Sequence, residues 1–101
     1  MTKATLNNSQ LKFLRKLAHS LKPVISIADK GLSEALMREA ELTLEHHELI
    51  KVKISADDRD QKKAIIDLLC QKMRASLIQS IGNVAVIYRP AATPKLEVPK
   101  K

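Results

Sequence analysis

The chain has 101 residues and a formal net charge of +7, from 18 Lys and Arg against 11 Asp and Glu. That length suits one domain, and 45% apolar residues supply a packed core and exclude a wholly disordered basic tail. Aromatic residues make up only 2%, Phe13 and Tyr88 with no Trp, which argues against a protein that stacks nucleic-acid bases on aromatic platforms and for a compact basic domain that meets a polyanion by charge and shape.

The first periodic segment is Ser9–Leu21. Leu11, Leu14, Leu17, Ala18 and Leu21 recur at helical spacing, with Ser9 as N-cap. Lys12, Arg15, Lys16 and His19 fall on the opposite side at i, i+3, i+4 and i+7, with no acid among them. Pro23 disfavours helical geometry at Lys22 and closes the helix. Val24–Ile27 reads as a short strand, Ala28-Asp29-Lys30-Gly31 as a tight loop, and Ser33 as the cap of a helix to His47 with Leu36, Met37, Ala40, Thr43, Leu44 and His47 inward. Leu49–Ser55 alternates with period two, Ile50, Val52 and Ile54 on one side and Lys51 and Lys53 on the other. Asp57, Asp58 and Asp60 open a third helix to Arg74, where carboxylates suit the positive dipole end. Ser76–Ile81 and Val84–Arg89 are strands joined by Gly82-Asn83, a hairpin signal. Residues 1–90 form the domain, and 91–101, with Pro94, Pro99 and the terminal lysines, read as an extended basic tail.

The order α-β-α-β-α-β-β predicts an α/β fold, a two-layer or sandwich arrangement of three helices on a four-stranded mixed sheet whose final hairpin is antiparallel. Charge runs in blocks: +5 over residues 1–33, −4 over 34–48 and +6 over 49–101. One face for polyanions and another turned away are expected.

Catalytic chemistry has little support. The aspartates before the third helix are explained by capping, and His46-His47 point about 100° apart on a helix, which keeps them from sharing one tetrahedral metal site. Cys70 alone reads as a small buried residue, and it rules out an internal disulfide and suits a reducing compartment. No phosphate-binding fingerprint loop is present. No enzyme, cofactor, metal site or small-molecule substrate is expected. No apolar run approaches the roughly 18 residues that cross a membrane, and Met1–Thr5 lack the apolar core of a secretory signal. A cytoplasmic monomer with no membrane contact is expected. The loop from Ala28 to Gly31 sits before a helix start, where free N–H groups and the dipole suit phosphate, and Lys30 adds a cation.

These segments resemble a known family. Leu14-Arg15-Lys16-Leu17-Ala18-His19, Leu21-Lys22-Pro23-Val24 and Lys30-Gly31-Leu32-Ser33 resemble the opening of the CRM (chloroplast RNA splicing and ribosome maturation) domain, found in bacteria as stand-alone YhbY-type proteins. His46-His47-Glu48-Leu49-Ile50-Lys51-Val52-Lys53-Ile54 resembles its most specific motif, and Ile81-Gly82-Asn83-Val84 through Tyr88-Arg89-Pro90 its closing hairpin. The resemblance implies a fold similar to the C-terminal domain of translation initiation factor three. It also implies RNA binding and association with precursors of the large ribosomal subunit. The family carries a GxxG loop; here Gly31 matches the second glycine, Ala28 stands at the first, and Asp29 adds a negative charge beside the phosphate path. The expected RNA contacts are Lys12, Arg15, Lys16, His19 and Lys22, the loop Ala28, Asp29, Lys30 and Gly31, and Lys51, Lys53 and Arg89 if their sheet face stays open. Few aromatics predict backbone recognition with weak base specificity. The alternative is a module that docks on a ribosomal protein through the acidic face of the second helix.

Overall fold

A computed structural model describes residues 6–28, 31–56 and 58–93. Its elements run α1 (Asn8–Ala18), β1 (Pro23–Ile27), α2 (Glu34–His47), β2 (Leu49–Ile54), α3 (Arg59–Met73), β3 (Ser76–Ile81) and β4 (Val84–Tyr88). The strands form one mixed sheet in the order β1-β2-β4-β3. β1 and β2 are parallel, and β4 is antiparallel to both β2 and β3. The crossover through α3 therefore carries the chain past an open place in the sheet, which β4 fills on its return.

Two separate apolar cores show how the helices are divided between the faces. Ile50, Val52 and Ile54 of β2 join Ile25, Ile27 and Ile87 in a cluster with Leu44 of α2 and Leu69 of α3. The opposite face holds a smaller cluster in which Leu14 and Ala18 of α1 meet Leu49, Ile78, Val86 and Tyr88. The fold is thus an α/β sandwich with α1 on one face and α2 and α3 on the other. Burying a side chain such as Leu14, which is fully covered, contributes about 2 kcal/mol. Burial also raises the Tyr88 phenol above its ordinary value, with the nearby Glu48 charge acting in the same direction.

Local chemistry sets the element ends. Helix α1 is capped by Asn7, two residues before the expected Ser9, because Asn7 and Gln10 form a reciprocal capping box: the Asn7 side chain accepts from Gln10 N–H and the Gln10 side chain from Asn7 N–H, both at 2.9 Å. The helix also ends early, at Ala18, and Ser20 and Leu21 N–H close tighter turns onto Leu17 and Ala18 carbonyls. Ser33 caps α2 and Asp58 caps α3, accepting from Leu36 and Gln61 N–H respectively. Asp57, expected beside it, lies outside the described residues, and Asp60 sits in the first turn.

His47, expected on the inner stripe of α2, is exposed, and its ring meets His46 edge-on with centroids 5.5 Å apart. The inward place at this end belongs instead to Glu48, which is only 1% exposed. It ends the helix at φ +65°, a left-handed angle that costs a non-glycine residue about 1 kcal/mol. Its bonds offset that cost: its carbonyl accepts from Arg89 N–H at 2.9 Å, and its carboxylate accepts from Ala91 N–H at 3.0 Å. Ala91 is itself buried, and Ala92 N–H donates to Glu45, so the chain after β4 is laced to α2.

The β3–β4 pairing shifts register between Leu77 and Gln79, so Ile78 and Gln79 together oppose Val86. This bulge reverses the alternation along β3: Ile78 enters the α1 core, while Gln79 and Ile81 line the same face further along. The Gly82-Asn83 turn has Gly82 at φ +58° and Asn83 at negative φ, the type II′ pattern that a hairpin favours.

Candidate nucleic-acid interface

The sheet sorts charge. All of the described carboxylates lie on α2, α3 or their caps, from Glu34 to Glu48 and at Asp58, Asp60 and Asp67. The α1 side carries Lys12, Arg15 and Lys16 on the helix, Lys22 on the following link, and Lys51 and Lys53 on β2, with no described carboxylate among them. The two lysines take this side because Ile50, Val52 and Ile54 face α2 and α3 and the strand alternates.

On α1, Lys12, Arg15, Lys16 and His19 are all exposed, while Leu14 and Ala18 on the other side are fully covered. Arg15 and Lys16 also sit in the last turn, where cations are favoured by the dipole; Lys12 has no such structural reason. Helix α1 spans 11 residues, about 16 Å, and covers only part of the sheet. Beyond its end the sheet face lies open as a groove of about 300 Å³, with His19 and Lys51 on one side and Gln79, Ile81 and Val84 on the other. Lys51 also lines a neighbouring recess with Lys22 and His47. His19, Lys22 and Lys51 are thereby brought together from α1, the link and β2. Lys53 follows on the same face, paired in register with Ser26 and Val84.

The β1–α2 loop begins where β1 leaves this face. Ala28 is exposed, and its carbonyl accepts from Gly31 N–H at 2.9 Å, closing the turn. Gly31 has φ +78°, and nothing lies within 4 Å of where a Cβ would stand. Glycine is therefore required here by the backbone angle, and the space beside it is open. Asp29 and Lys30, the other expected loop contacts, lie outside the described residues.

Arg89 stands apart from the expected set. It follows Tyr88, which faces α1, and so points to the opposite side of the sheet. There its guanidinium bonds Glu41 at 2.6 Å and the Met73 carbonyl at 3.2 Å, and its side chain is 14% exposed. Its charge is absorbed by α2, and we exclude it from the interface on that ground. Sequence reasoning also missed Gln79 and Ile81 as residues of the cationic face, since alternation without the bulge separates Ile81 from Ile78. Outside this face, Arg59, Lys62 and Lys63 form a second basic cluster on α3, mixed with Asp67, where Lys62 donates to the Gly82 carbonyl at 2.8 Å.

Comparison with known proteins agrees with this architecture. The chain is 42% identical over 97 residues to a protein of Haemophilus influenzae described as an RNA-binding protein, covering 96% of this chain and 98% of that one. It is 43% identical over 89 residues to a Pseudomonas aeruginosa protein described as a probable RNA-binding protein, covering 88% and 86% of the two chains. The solution structure of a Staphylococcus aureus protein, described as a candidate RNA binder, superposes with a TM-score of 0.80 at 36% identity, over 94% of this chain and all of that one. The family profile described as the CRS1/YhbY (CRM) domain matches residues 6–89, from the residue before the α1 cap to the arginine after β4, and the chain belongs to that family.

Proposed function

We propose that this chain is a non-catalytic, monomeric RNA-binding protein of the cytoplasm that associates with precursors of the large ribosomal subunit and assists their assembly. The observation that carries RNA binding is the sorting of charge by the sheet: a face with six cations and no described carboxylate, backed by a face where acids and bases are mixed. Lys12, Arg15, Lys16 and His19 engage phosphates along α1, Lys22, Lys51 and Lys53 continue the path across the sheet, and the loop from Ala28 to Gly31 ends it. The descriptions of the relatives support RNA as the polyanion, and the resemblance to CRM domains supports the ribosomal setting.

If about five phosphates are neutralised, log K against log salt for single-stranded RNA slopes near −3.5, from roughly −0.7 per phosphate. Lys12, Arg15 and Lys16 changed together to Glu abolish binding with the circular dichroism spectrum unchanged. A salt-independent affinity, or binding retained by that folded variant, overturns the interface. Crosslinking in cells, with the crosslinked nucleotides mapped, tests the ribosomal assignment: crosslinks absent from large-subunit precursor RNA remove it.

One observation favours a second reading. Leu42 on α2 is 72% exposed and lies with Met37 and Met73 in an apolar notch rimmed by Glu34, Glu41 and Arg38. A basic ribosomal protein docked there makes co-sedimentation with pre-ribosomal particles survive the loss of the α1 cations.

A further inference from the structure

We propose that the groove between the end of α1 and the β3–β4 hairpin seats an unpaired base of the RNA, with Gln79 reading its edge and His19 and Lys51 holding its flanking phosphates. This rests on the RNA-binding reading above and names the ligand of the same face: a bulged or single-stranded nucleotide, in preference to plain duplex.

The groove has the composition of a small-ligand site, mostly apolar with a few polar groups at fixed places. Pro23, Ile81, Val84 and Val86 supply its apolar surface. Ile81 is 67% exposed although it lies on a strand, and Val24 on the same sheet face is 51% exposed. Aliphatic surface left open in the middle of a cationic face gains nothing from phosphate, which prefers water or a cation. It gains from the flat apolar face of a base. Lys51 on the rim and Lys53 beyond it are cationic, and His19 adds a ring that can donate a hydrogen bond, so the chemistry that fits combines a planar apolar surface with adjacent negative charge. A nucleotide has both.

Gln79 is the one side-chain amide in the lining, a group that both donates and accepts hydrogen bonds. Its amide is of the kind that pairs with the N6 and N7 edge of adenine. The β3 bulge places it there: Ile78 and Gln79 both face α1, one filling the core and the other lining the groove. The groove therefore adds base selectivity to a chain whose shortage of aromatics predicts little of it.

The test compares a perfectly paired RNA hairpin with the same hairpin carrying one bulged adenosine or one bulged uridine, by fluorescence anisotropy at fixed salt. The bulged adenosine is expected to bind about tenfold tighter than the paired hairpin, and several-fold tighter than the bulged uridine, within the range a bidentate amide–base pair supplies. Gln79→Ala removes the adenosine preference, and Ile81→Ser, at an exposed position, removes the bulge preference; both leave the salt slope unchanged. Equal affinity for paired and bulged hairpins overturns the inference while RNA binding stands. Failure to bind any of the three takes down both. Methyl signals of Ile81 and Val84 that move with an acidic amphipathic peptide and stay still with the bulged RNA reassign the groove to a protein partner.

Discussion

Arg89, the residue after β4, donates to the Glu41 carboxylate of α2 at 2.6 Å across 48 residues of sequence. The same guanidinium donates to the Met73 carbonyl at the end of α3 at 3.2 Å. One side chain thus ties the last strand to both helices of the larger core. Glu41 is 53% exposed, so water screens the ion pair and its share is small. The bond to a helix-end carbonyl in a part-buried place carries more. Arg89→Ala is expected to cost about 1–2 kcal/mol in urea unfolding followed by circular dichroism. RNA affinity should stay within about twofold, because the lost charge belongs to the other face. An RNA defect as large as that of an α1 cation returns Arg89 to the interface.

The same pair predicts an acid dependence. The hydrogen bond from Arg89 is the largest influence on the Glu41 carboxyl and, with the guanidinium charge, lowers it below its ordinary value of 4.5; slight burial opposes this. A group whose folded value is depressed contributes stability above its unfolded value and loses it as pH falls through the folded one. The stability gap between the native chain and Arg89→Ala should be constant near neutrality and begin to narrow below about pH 4.5. The shift on Arg89 itself is upward and adds nothing in this window. A gap that widens on acidification assigns the effect of Arg89 to something other than its carboxylate partner.

Lys51 and Lys53 offer the sharpest contrast between the two faces of the sheet. Lys51→Ala with Lys53→Ala removes two cations from the α1 side, and should make the salt slope for single-stranded RNA shallower by about 1.4, at roughly 0.7 per phosphate. Arg38→Ala with Lys72→Ala removes the same charge from exposed positions on α2 and α3 and should leave the slope unchanged. Equal effects from the two pairs point to net charge alone, with no preferred face.

Much of this was legible in the sequence because the signals are local. The spacing of Leu11, Leu14 and Ala18 defines the buried side of α1, the alternation around Val52 defines β2, and Gly82-Asn83 defines the hairpin. What stayed hidden depends on partners far along the chain. Nothing near Glu48 announces that its carboxylate meets Ala91 N–H, 43 residues on. Nothing near Arg89 announces Glu41. The openness of the Lys51 side turned on which helix packs there: the short α1 takes it and leaves the groove, whereas α2 and α3 together cover the other side. The bulge at Ile78 and Gln79 has no local signal either, so the base-reading candidate was invisible until the register was known.

The loop gives the last prediction, since its two ends ask different things of the chain. Gly31 needs its left-handed angle but has open space where a side chain would grow. Gly31→Ala should therefore cost about 1 kcal/mol of stability from backbone strain alone, with no packing penalty. At the other end, Ala28 is exposed, so Ala28→Gly changes the folded contacts little and costs at most about 1 kcal/mol through the freer unfolded chain. The methyl it removes stands on the loop where phosphate is expected to approach. Ala28→Gly should thus tighten RNA binding by a few-fold while lowering the unfolding midpoint slightly. Both are measurable on one preparation, by titration with a fluorescent RNA and by urea denaturation. Unchanged or weaker affinity shows that the loop makes no close backbone contact with the phosphates, leaving α1 and the open sheet face to hold the RNA.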